Sequence, residues 1–239
     1  KVFEVDPTII LGGPGTGKTT RLIAIVEQEI KDGTIPERIA YVSFTRQAAY
    51  GARKRIDLTE KQTPWFRTLH SMAFRRLGMS RTEVMDNTHY QKVCEMLGMT
   101  YTGFVDLESP AHGPEGNKCL GIVEYSRNTL QDLKEAWSKH GSSIDWFKLK
   151  RFYDTLLTYK KDMQLIDYSD MLERFVSSEA TLDIDVAIID EAQDLTPLQW
   201  KVASTAFKTA KRVYVGGDDD QAIYKWSGAD VNTFINLKG

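Results

Sequence analysis

Two short stretches, about 170 residues apart, carry residue types that can act together on a polyphosphate. Gly12-Gly13-Pro14-Gly15-Thr16-Gly17-Lys18-Thr19 satisfies G-x-x-x-x-G-K-[ST] in full. Glycines at this spacing let successive backbone N–H groups turn inward around phosphate oxygens. Lys18 can reach the terminal phosphates and the Thr19 hydroxyl can ligate Mg²⁺. Gly13 to Thr19, with Thr20 beside them, are therefore the candidate nucleotide-binding residues. The second stretch is Asp190-Glu191-Ala192-Gln193-Asp194. A strand-end Asp190 opposite the loop would complete the oxygen shell of the same ion, so Thr19 and Asp190 are the candidate metal ligands. Glu191 next to it can orient a water and accept its proton, an arrangement for hydrolysis.

The elements needed to hold these residues are legible around them. Ile9 to Leu11 reads as a short buried strand ending at the glycine-rich turn. Thr19 to Lys31 follows with helical spacing, and Gly33 is its stop. A second buried strand is expected over Ile39 to Phe44 and a basic helix over Arg46 to Ile56. Strand character returns at Ile184 to Ile189 and at Arg212 to Val215, with Thr196 as an N-cap and Pro197 in the first helical position between them. Alternating strands and helices predict an α/β fold with a parallel sheet covered by helices on both faces. Acidic residues at strand ends then fall along the rim where such sheets bind ligands. From about Phe74 to Met163 the pattern is helical, broken by a loop from Ser109 to Gly116. In its last helix Trp146, Phe147, Leu149, Phe152, Tyr153, Leu156 and Leu157 are expected in the core.

Composition narrows the class. The 239 residues are 41% hydrophobic and 27% charged, with seven prolines, no repeat and no stretch near the ~18 apolar residues of a membrane span. No signal-peptide pattern opens the chain, so an intracellular, cytoplasmic location without membrane attachment is expected. Cys94 and Cys119 lack the spacing of a zinc site or disulfide framework. The net charge of −2 hides a local excess: from Arg46 to Arg81 there are nine basic and two acidic residues. That segment is a candidate phosphate-tracking surface.

Several motifs together resemble the UvrD/Rep/PcrA group of superfamily 1 DNA helicases, over nearly the whole chain. They are the phosphate loop; Ser43-Phe44-Thr45-Arg46-Gln47-Ala48-Ala49; Thr68-Leu69-His70-Ser71; Ile166-Asp167-Tyr168-Ser169-Asp170-Met171-Leu172; and the Asp190–Asp194 box followed by Gln199. The last is Gly217-Asp218-Asp219-Asp220-Gln221-Ala222-Ile223-Tyr224-Lys225-Trp226-Ser227-Gly228-Ala229. The resemblance implies a RecA-like P-loop domain, residues 1–73 with 164–239, carrying an α-helical insertion at 74–163. It implies ATP and Mg²⁺ as cofactors and 3′→5′ translocation on single-stranded DNA and single/double-strand junctions. Gln221 would sense the γ-phosphate and join Lys18 and Glu191 in catalysis. Phe44, Thr45, Thr68, His70, Tyr224 and Trp226 would contact DNA, the aromatic rings by stacking on bases. Ser227 stands where the family usually has arginine, and the adenine-reading glutamine motif is not visible in the eleven residues before Gly12. A second RecA-like domain with its arginine fingers has no counterpart in the chain, so these residues alone are expected to hydrolyse ATP poorly. An AAA-type remodelling ATPase and a non-hydrolytic binding subunit are the alternatives.

Overall fold

The computed structural model describes residues 1–13, 15–103, 113–141, 143–218 and 229–237. Lys1–Gly78 and the described residues from Arg174 onward form one compact unit, and Met79–Glu173 form another.

The first unit is built on a five-stranded, all-parallel sheet of β1 (Thr8–Leu11), β2 (Ile39–Val42), β3 (Trp65–Arg67), β4 (Val186–Ile189) and β5 (Arg212–Gly217), in the spatial order β1-β5-β4-β2-β3. Every residue of β2 and β4 is buried. Since neighbouring side chains point to opposite faces, both faces of the sheet centre are covered, which is why these strands read as unbroken apolar runs. Ile39, Tyr41, Val186, Ile188 and Ile10 form one core with Leu22, Ile23 and Val26 of α1 (Lys18–Lys31) and Ala52 of α2 (Arg46–Arg55). Ala40, Val42, Ala187 and Ile189 are buried on the other face. The connection from β3 passes into α3 (Leu69–Arg76).

The second unit is helical: α4 (Asn87–Met96), α5 (Glu115–Asn128), α6 (Leu133–His140) and α7 (Trp146–Asp162), leading into α8 (Tyr168–Ser177), whose final turns belong to the first unit. The chain then completes the sheet unit with β4, α9 (Pro197–Ala206), β5 and α10 (Val231–Asn236). Leu149, Phe152 and Leu156 of α7 lie in the second unit's core with Val93, Ile122, Val123 and the free thiols Cys94 and Cys119. Burial pushes the two thiols up to about 11 and about 12, well away from reactive thiolates. Two expected core residues of α7 are outside it: Phe147 is 79% exposed and Leu157 42%. At ~100° per residue Phe147 points about 160° away from Leu149, and Leu157 sits on the rim of the apolar stripe. Part of the expected Ser109–Gly116 loop, residues 109–112, falls outside the described residues.

A polar clasp ties this unit together. Arg127 Nη1 donates to both carboxylate oxygens of Asp167 at 2.9 and 2.8 Å, and its Nη2 reaches Asp170 at 2.6 Å and Glu173 at 2.8 Å. Lys160 Nζ donates to Asp167 at 2.5 Å and Asp170 at 2.8 Å. The Asp167–Asp170 motif thus has structural work of its own.

The candidate nucleotide site and its neighbours

All five parallel strands end on one rim, and each strand leads into one of the motifs. β1 runs into Gly12, β2 into Ser43-Phe44-Thr45, β3 into Thr68, β4 into Asp190 and β5 into Asp218. In a parallel sheet the carboxyl ends share one edge, so residues far apart in sequence meet there.

The loop after β1 is tied at its base by the Gly12 N–H to the Gly217 carbonyl, 3.3 Å, and folded by Thr16 Oγ1 donating to the Gly13 carbonyl, 2.7 Å. Gly15 and Gly17 have φ of +71° and +86°, conformations that glycine alone adopts without strain. Gly17 is the N-cap of α1 and offers no side-chain oxygen, which leaves the first-turn N–H groups without a side-chain cap. With the helix dipole behind them, those donors suit an anion. Lys18 is nearly buried, and its ammonium is held by the Gly12 carbonyl at 2.6 Å and the Gly13 carbonyl at 3.5 Å. Such neutral dipoles hold the ammonium in the loop and can be exchanged for phosphate oxygens. Thr20 is exposed and accepts a long bond, 3.4 Å, from Arg55. Pro14 lies outside the described residues.

Across the rim, Thr19 Oγ1 donates to Asp190 Oδ2 at 3.0 Å. Asp190 is 1% exposed and held by two further donors, the Tyr41 hydroxyl on Oδ2 at 2.7 Å and the Glu191 N–H on Oδ1 at 3.0 Å. Burial pushes its carboxyl above the usual range, against the pull of the Tyr41 and Thr19 bonds. A hydroxyl and a carboxylate side by side, beside a loop that can hold phosphates, are the hard oxygen donors that Mg²⁺ takes. The donor set therefore fits that ion. Glu191 turns the chain in the left-handed region, φ +56°, and its carboxylate accepts from Gln193 Nε2 at 2.7 Å. The Gln193 carbonyl oxygen in turn accepts the Asp218 N–H at 3.1 Å. Asp194 is raised to about 6, by burial first and by the charge of Glu191 second. Gln199 closes the Thr196 capping box at the start of α9, with Pro197 in its first position.

The expected DNA-facing residues are distributed along the same unit. Phe44 is 53% exposed just past β2, as an aromatic available for stacking must be. The hydroxyls of Thr45 and Thr68 cap α2 and α3 by accepting from Ala48 N and Ser71 N. His70 is half-buried in the first turn of α3, and burial pushes it down to about 4, so its ring is neutral at pH 7. The basic segment is less available than its count implies. Arg53 donates to Thr63 Oγ1 and the Phe66 carbonyl, Arg67 pairs with Glu60, and Arg76 bonds the Thr181 carbonyl. Arg46, Lys54 and Arg55 remain exposed on α2. Gln221, Tyr224 and Trp226, and Ser227 with them, lie outside the described residues.

Sequence reasoning missed two parts of this site. Tyr41 read as one more apolar residue of a buried strand, and β3 was too short to register. The Gln193 bridge had a signal in the polar residue two positions after Glu191, but not its geometry.

A parallel α/β sheet whose first strand feeds a glycine-rich loop and helix, with an acidic pair at a neighbouring strand end, defines a P-loop nucleotide-binding domain of the RecA-like kind. Within that class the chain belongs to the UvrD/REP helicase N-terminal domain family, whose pattern matches residues 2–239. It is 25% identical to the ATP-dependent DNA helicase PcrA of Leuconostoc citreum, over 97% of this chain and 33% of that protein. It is 26% identical to the ATP-dependent DNA helicase Rep of Buchnera aphidicola, over 97% and 36%, and 23% identical to the ATP-dependent DNA helicase UvrD2 of Mycobacterium bovis, over 97% and 37%. The chain thus spans about a third of the length of these relatives. No helix among the described residues is long and apolar enough to cross a membrane.

Proposed function

We propose that this chain is the ATP-binding, water-activating half of a DNA motor that translocates 3′→5′ on single-stranded DNA, acting at single/double-strand junctions inside the cell. The compact unit of Lys1–Gly78 and the described residues from Arg174 onward is its motor domain, and the helical unit Met79–Glu173 is the inserted subdomain, with boundaries beyond the 73 and 164 expected from the sequence. The observation that carries the reading is the 3.0 Å bond between Thr19 and Asp190, which sets the two ion-binding oxygens side by side next to Lys18. When bound, Mg²⁺ supplies charge neutralisation at the phosphates. Lys18 exchanges the Gly12 carbonyl for terminal phosphate oxygens, and Thr19 and Asp190 hold the ion. Glu191, aimed by Gln193, accepts the proton of the water that attacks the γ-phosphorus, giving ADP and phosphate. Gln221 reports the γ-phosphate to the DNA side, where Phe44, Tyr224 and Trp226 grip and release bases while Thr45, Thr68 and His70 line the strand. Arginines of a second motor domain complete catalysis.

The test is Glu191→Gln in protein carrying both motor domains. ATP binding survives and DNA-stimulated hydrolysis collapses; persistent hydrolysis overturns the assignment of the base. Binding of labelled single strands without sequence preference, weakening steeply with salt, tests the track.

A further inference from the structure

The reading of Asp190 as an ion-binding carboxylate leaves open what keeps its oxygens aimed once an ion arrives. The structure gives it three hydrogen-bond donors from three elements: Thr19 of α1, the N–H of Glu191 in its own turn, and Tyr41 of β2. These donors are not equivalent. The Thr19 hydroxyl is itself an ion ligand in the proposed function, and so cannot serve as a fixed strut for its neighbour. The Glu191 N–H belongs to Oδ1 and leaves Oδ2 to the side chains.

Tyr41 differs from both. It is fully buried, its ring stacks on Phe66 with centroids 5.5 Å apart, and its hydroxyl is 2.7 Å from Oδ2. In the β2–β4 register Tyr41 lies opposite Ile188, and Asp190, two residues further on, shares that face of the sheet. A ring with two torsions, clamped by stacking and by the core around α1, presents its O–H from one direction only. We propose that Tyr41 is a positioning residue for the nucleotide site: its hydroxyl fixes the Asp190 carboxylate so that the ion carried with the nucleotide meets a preset oxygen. The inference rests on the nucleotide reading of the preceding section. Hydrogen-bond partners behind a ligating carboxylate typically contribute about 10- to 100-fold to metal affinity.

The experiment compares wild-type protein with Tyr41→Phe and with 4-aminophenylalanine installed at position 41, which returns an N–H donor on the same ring. Each is titrated with a fluorescent ADP in excess EDTA and again across a Mg²⁺ series, with thermal unfolding as the check on folding. The expected result is that Tyr41→Phe binds ADP in EDTA within about twofold of wild type, while the half-saturating Mg²⁺ concentration rises about tenfold. The amino ring should recover most of that loss. An unchanged Mg²⁺ titration in folded Tyr41→Phe overturns the proposal, as does equal weakening with and without Mg²⁺, which marks a merely structural hydroxyl. Failure of the amino ring to rescue a folded protein overturns the donor role. If wild type gains nothing from Mg²⁺, the nucleotide reading itself falls, a result separate from any effect of the tyrosine.

Discussion

Gln193 holds Glu191 from the side, its amide nitrogen 2.7 Å from the carboxylate, while its oxygen accepts the Asp218 N–H at the end of β5. One amide thereby joins the two strand ends on which the proposed water-activating group and the adjoining motif depend. Gln193→Glu keeps an acceptor for the Asp218 N–H but exchanges the donor facing Glu191 for a second negative charge. Misaiming a base by about 1 Å costs on the order of 100-fold in rate. With both motor domains present, kcat should fall 10- to 100-fold with nucleotide affinity nearly unchanged. A steady-state ATPase assay alongside fluorescent-nucleotide titration checks both halves of that statement.

The glycine loop makes a sharper steric prediction. A Cβ on Gly12 would meet Thr16 Oγ1 at 2.4 Å and Lys18 Cγ at 3.1 Å, and Thr16 is the residue that folds the loop onto Gly13. A Cβ on Gly13 meets nothing nearer than 3.9 Å. Gly12→Ala should therefore weaken nucleotide binding by at least about tenfold, some 1.4 kcal/mol, and Gly13→Ala by no more than about threefold. Equal losses at the two positions would show that the clash is not what matters.

His70 contributes a pH dependence of stability with a definite sign. Burial lowers its ring from 6.5 to about 4, so between those values the unfolded chain binds more protons than the native one. The stability it contributes is fully present above pH 6.5 and is lost as pH falls through 4, by about 2.5 kcal/mol at pH 4.5. Urea unfolding at pH 7 and 4.5 should show His70→Gln losing less on acidification than wild type. Because the ring is neutral at pH 7, the same change should leave the salt dependence of DNA binding unaltered, whereas Arg46→Ala should reduce the slope by about one.

The order in which these features could be read follows from their physics. β2 and β4 declare themselves because both faces are buried, giving apolar runs with no polar interruption. β3, three residues long at the sheet edge, leaves no period to detect. The loop and acidic box are legible because backbone conformation and charge demand particular residue types. Tyr41 is not, since its ring satisfies the strand pattern and only the β2–β4 register reveals what its hydroxyl meets. The basic segment misleads in the opposite direction. Charge can be counted in sequence, but whether Arg53 reaches the Phe66 carbonyl, Arg67 reaches Glu60 and Arg76 reaches the Thr181 carbonyl 105 residues on appears only in the fold.

The clasp of the helical unit concentrates a different vulnerability. Asp167 is 1% exposed and Lys160 5%, so removing a partner leaves charge in a place water does not reach. Burial pushes Asp170 up, but Arg127 and Lys160 pull it below the ordinary carboxylate value on balance; its share of stability is therefore present above pH 3.8 and lost below it. Arg127→Ala strips the pair's larger cation from three carboxylates at once and should cost about 3–5 kcal/mol at pH 7.5. Without the guanidinium, the burial that pushes the Asp170 carboxyl up is less opposed and that group can take up a proton, so the deficit should shrink at pH 5. Denaturant unfolding of wild type and variant at both pH values measures the change. A deficit that is the same at both would mean that lost packing of the Arg127 stem, rather than unpaired buried charge, sets the cost.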